Sequence, residues 1–80
     1  MPTVRSLIDN AGYDPALTKA MGEAFDAAWA SIAENYEGAI AIEGARITLA
    51  NIVLNLVDAG ERDPERLKER TLRTFSMTNL

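Results

Sequence analysis

Eighty residues suffice for one domain and not for two, and a chain this short buries only roughly 60–65% of the surface it exposes when unfolded, so its core is thin. A hydrophobic share of 48% with three prolines and five glycines suits a folded domain better than a disordered tail. The lack of cysteine excludes disulfides and thiolate chemistry; the lack of histidine removes the side chain that titrates nearest neutrality and the commonest nitrogen ligand of transition metals. A net charge of −4 argues against a binder that holds nucleic acid over its whole surface.

In chain order, Thr3 is placed to cap a short first helix in which Val4, Leu7, Ile8 and Ala11 share a face, with Gly12 at its end. Asp14 and Pro15 read as N-cap and first helical residue of a long helix running to about Tyr36. Leu17, Met21, Phe25, Ala28 and Ile32 point one way, Ala24, Trp29 and Tyr36 stand on the shoulders, and Glu23, Asp26, Glu34 and Glu37 lie opposite. Gly22, near Ala20 and Ala24, suggests close backbone approach. The segment 35–39 reads as a tight connection, Gly38 supplying the conformational freedom.

The stretch 40–60 is apolar over too wide an arc for one neighbour to cover. Ile42, Ala45, Leu49, Ile52, Val53 and Leu56 form one face, and Ile47, Ala50, Leu54 and Val57 widen it. Thr48, Asn51, Asn55 and Asp58 form the polar strip. Gly44 inside this helix suggests a close helix contact, and Gly60 suits the position after its end. Asp63 and Pro64 repeat the cap and first-residue arrangement ahead of a last helix to roughly Met77, with Leu67, Thr71, Leu72 and Phe75 inward and Leu80 tucked nearby. On its outer side, Glu65 with Lys68, Arg66 with Glu69, and Glu69 with Arg73 have the spacing of helical ion pairs.

The expected fold is therefore all-α: a small helical bundle built on a long antiparallel hairpin, with a short N-terminal helix and a C-terminal helix. The hairpin buries Leu17, Met21, Phe25, Ala28 and Ile32 against Leu49, Ile52, Val53 and Leu56, and the last helix covers part of Leu54 and Val57. No run reaches the length of a membrane span and the start has no long apolar signal segment, so a cytoplasmic location is the expectation.

Glu23, Asp26, Glu34 and Glu37, with Glu43 beyond the turn, resemble a solvated ridge; paired carboxylates do acid–base work only when burial or a like charge separates their pKa values. Without histidine there is no Glu-x-x-His di-iron pattern and no Ser-His-Asp arrangement, and the chain has neither a phosphate-binding glycine loop nor an EF-hand loop. The expectation is a protein that is not an enzyme and uses no cofactor or metal.

Taken together, DPALTKAMGEAFDAAWASIAENY, EGARITLANIVLNLVDAG and RDPERLKERTLR make the chain resemble a type of small, uncharacterised helical protein of alphaproteobacteria. The resemblance covers most residues after Tyr13 and least the start MPTVRSLIDNAG. It implies an intact bacterial cytoplasmic domain and carries over no activity and no active-site residue.

The leading functional expectation is a noncatalytic interaction or regulatory domain, a homodimer or a surface for another protein. Ile47, Leu54, Val57 and Trp29 are the candidate self-association residues, and Glu23, Asp26, Glu34, Arg66, Arg70 and Arg73 the candidate charged docking residues. The alternative is a small nucleic-acid-associated regulator using the last helix, where Arg62, Arg66, Lys68, Arg70 and Arg73 concentrate positive charge. Glu61, Asp63, Glu65 and Glu69 interleave those bases and weaken attraction to phosphate.

Overall fold

Asp14 opens the first long helix as its sequence position predicts. In the computed structural model, which describes Ile8 and residues 11 to 78, the Asp14 carboxylate accepts from the Ala16 amide at 3.0 Å, and Pro15 occupies the first helical position. This satisfies one of the amides that a helix start leaves without a partner. The helix, α1, spans Pro15–Ile32; α2 spans Ala39–Asp58 and α3 spans Pro64–Thr78. The expected helix over residues 3–11 lies outside the described residues except for Ile8, which is helical and fully buried, and Ala11 and Gly12, which follow it. The position expected for Leu80 also lies outside them.

α1 ends earlier than the spacing predicts. Its last turn tightens into a 3-10 turn over Ala33–Asn35, and Tyr36 is extended. The tighter turn satisfies helix-end carbonyls, Tyr36 donating its amide to Ala33 at 3.2 Å. It also brings the Tyr36 ring between Trp29, 6.0 Å away, and Phe75, 6.2 Å away and edge-on. Gly38, at φ 88°, then starts α2, and its carbonyl accepts from Ile42.

Gly60 ends α2 as expected. At φ 109° it turns the chain so that its own amide reaches the Val57 carbonyl and the Glu61 amide reaches Leu56, both at 3.0 Å. This is the paired Schellman closure, which a residue with a Cβ adopts only under strain. Arg62 reinforces it, donating Nη1 to the Val57 carbonyl at 2.7 Å.

Together the three helices form a small all-α bundle around the hairpin of α1 and α2, with no strand among the described residues. α3 touches each hairpin helix more extensively than the two touch each other, so it acts as the third wall of the core. The molecule measures 33 × 29 × 16 Å, and in so thin an arrangement every helix keeps an outward face.

The core gathers Ile8, Met21, Ala24, Phe25 and Ala28 with Leu49, Ala50, Val53 and Val57 and with Leu67 and Phe75. Leu17, Ile32, Leu56 and Leu72, expected in the interior, are only half-buried at its rim. Thr71 is fully buried, and its hydroxyl has no hydrogen-bond partner.

Two expectations are corrected here. Gly44 is exposed and a Cβ built on it meets nothing within 4 Å, so it marks no close helix contact. α2, at 20 residues with an 18-residue window of mean hydropathy 1.5, is long and apolar enough to cross a membrane by length and composition, contrary to the sequence expectation of no such run; one third of that window is buried inside the fold. A core helix passes the same test.

Candidate functional site

Helical geometry places residues seven apart almost in line, drifting by only about 20° per heptad. Ile40, Ile47 and Leu54 therefore form one ridge along about 21 Å of α2. Ile40 is 91% exposed, Ile47 is 39% exposed, and Leu54 is half-buried where the ridge meets the core. Glu43 and Asn51 flank the ridge and are exposed.

Of the proposed self-association residues, Ile47 and Leu54 lie on this ridge. Val57 does not: it is completely buried, because its direction on the helix points toward the core beside Val53. It is withdrawn as a surface residue. Ala50, read as widening the same face, is likewise buried. Trp29 is half-buried on α1, against both Tyr36 and Arg46, and is not part of the ridge. Ile40 was missed, although the heptad spacing to Ile47 and Leu54 signals it.

The charged candidates separate onto two helices. Glu23, Asp26 and Glu34 are exposed on α1 or the turn after it, and Arg66, Arg70 and Arg73 are exposed along one side of α3. The pairs spaced for α3 do not form. Arg70 instead reaches Glu61 at 3.7 Å, across the turn that precedes the helix. Glu61 also accepts from the amides of Arg62 at 3.2 Å and Asp63 at 3.3 Å. The Asp63 amide is the largest cause holding this carboxyl below its usual range; partial burial opposes it, and Arg62, Arg70 and Arg66 add to the lowering.

A second polar contact closes the same end of the bundle. The Tyr13 hydroxyl donates to the Asp58 carboxylate, which pushes the phenol above its ordinary pKa, with burial and the Asp58 charge contributing in the same direction. Next to it lies a shallow depression of about 370 Å³ lined by Asp14, Ala16, Leu17, Ala20 and Arg62. Arg62 spends a donor on the Val57 and Glu61 carbonyls, and Asp14 already caps α1, so these polar groups serve the fold.

Arg46 is the third feature, and the sequence reading passed over it. It is the only basic residue of α2. Its guanidinium carbon lies 5.4 Å from the Phe25 ring centre and 5.7 Å from that of Trp29. Such contacts favour a cation electrostatically. The Nε is shut off from solvent without a hydrogen-bond partner. Its place as the one basic side chain within a largely apolar helix was the available signal.

Among the described residues, no group of three or more acidic side chains is arranged to hold a metal ion. Compared with protein-family models, curated proteins and solved structures, the chain matches none.

Proposed function

We propose that this chain is a noncatalytic protein-interaction domain that self-associates as a homodimer through the outer ridge of α2. The observation that carries the reading is the exposure of Ile40 and Ile47 in line with Leu54, on a helix whose opposite side already fills the core. Removing such side chains from water contributes roughly 25 cal/mol per Å² of apolar surface, a gain the folded monomer leaves unused at Ile40.

Charge favours an antiparallel pair. A parallel arrangement brings Glu43 beside its own copy, whereas an antiparallel one centred on Ile47 sets Ile40 beside Leu54 of the second copy and Glu43 beside Asn51. The exposed Gly44 leaves the neighbouring surface open.

Replacing Ile40 and Ile47 by aspartate tests the reading. The double variant is expected to keep its helical circular dichroism and to sediment as a monomer under conditions where the parent is a dimer. A dimer of unchanged affinity would overturn the assignment of this ridge. The nucleic-acid reading gains no support from the arrangement of α3, because Glu61 engages Arg70 and Glu65 and Glu69 remain beside the basic stripe.

A further inference from the structure

We infer that Arg46 is a carboxylate-binding site, separate from the ridge of α2. A guanidinium brings a fixed fork of donors that suits planar oxyanions, and its charge costs free energy when it is partly withdrawn from water without a partner. Arg46 is half-buried, makes no ion pair with any described residue, and has a desolvated Nε that bonds to nothing. Its two terminal amino groups carry no hydrogen bond to a described residue. They are the donors available to a ligand approaching end-on.

The aromatic rings make this more than a solvated arginine. Phe25 is fully buried and Trp29 is half-buried with Tyr36 packed against it, so the two contacts hold the guanidinium against a wall fixed by the core. A cation held in place loses less freedom on binding, and its pair with a carboxylate is strengthened by the low-dielectric wall. The same side chain free in solvent would contribute little.

A carboxylate suits this site better than a phosphate. Arg46 is a single cation with no basic neighbour on α2, Glu43 lies one turn before it, and the chain carries a net charge of −4. A multiply charged anion meets repulsion from these groups that a singly charged, planar carboxylate largely escapes. The carboxylate can belong to a small organic acid or to an acidic side chain of a partner segment; the recognising chemistry is shared.

Trp29 is the only tryptophan and lies against the site, so its fluorescence reports occupancy directly. The intact chain is titrated with sodium propionate and, separately, with a capped Ala-Glu-Ala peptide, each carrying one carboxylate, against sodium chloride at matched ionic strength. The expected result is a saturable change absent with chloride. Saturation by propionate identifies a free acid as sufficient, and saturation by the peptide alone identifies a partner segment. Arg46→Met is expected to abolish the response. Arg46→Lys, which keeps the charge and loses the fork, is expected to weaken it at least tenfold and serves if the methionine variant fails to fold. No saturable change with either carboxylate, or equal binding by the lysine variant, overturns the inference.

Discussion

α2 and α3 use their apolar residues differently. α3 presents Leu67, Thr71 and Phe75 to the core and surrounds them with charge, so the fold itself accounts for nearly all its apolar surface, Met77 near its end excepted. α2 fills the core with Leu49, Val53 and Val57 and still leaves Ile40 and Ile47 in water. The comparison separates two demands on a sequence. Apolar residues that close the fold are core, and those left over on the same helix are the surface on which the proposed self-association rests.

Substitutions on the two sides of α2 and its neighbours sharpen that division. The largest effect is expected for Phe25→Ala, which empties the centre of the core and removes Arg46's nearer ring; it should destabilise by about 3–5 kcal/mol, against a total of roughly 4–12 kcal/mol for a chain of this length. Urea denaturation measures it, and a loss below about 1 kcal/mol would show that the interior is not organised around this ring. Next, Val57→Asp should abolish cooperative unfolding, while Ile40→Asp leaves it intact, measured by thermal melts of monomeric samples. Equal damage at both positions would erase the distinction between inner and outer faces.

A smaller effect, opposite in sign, is expected on α3. Thr71→Val replaces an unpartnered buried hydroxyl by a methyl group of similar shape and should stabilise by about 1 kcal/mol. Destabilisation in the same denaturation assay would indicate that the hydroxyl has a role in the fold. The smallest expected effect concerns the turn before α3. Because the folded state lowers the Glu61 pKa, this carboxylate contributes stability above its unfolded value, and that contribution is lost as pH falls through the folded value. Glu61→Gln should therefore flatten the decline in thermal midpoint on acidification below the ordinary carboxylate range. An unchanged slope would detach Glu61 from the acid response.

Local signals in the sequence carried much of the fold. Asp14 with Pro15, and Gly60 after α2, act through hydrogen bonds to residues close in the chain, so their positions alone locate helix ends. The inner stripe of α1 was equally legible, since Met21, Phe25 and Ala28 follow one helical period. Across α2 the apolar arc is wider than one face, and periodicity alone did not decide that Val57 turns inward and Ile40 outward. That choice depends on where α3 lies. Gly44 was misread because a glycine signals close approach only when another element arrives there, and none of the described elements does. Arg46 was overlooked for a related reason: its significance requires Phe25 and Trp29, which reach it only when α1 and α2 pair.

Sedimentation equilibrium over a wide concentration range, run on the intact chain, tests the central claim most directly. The account predicts a mass approaching twice the 8.7 kDa of one chain, reverting to a monomer when Ile40 and Ile47 are both replaced by aspartate. A nonaggregating monomer at every concentration would contradict self-association and leave the α2 ridge to a different partner.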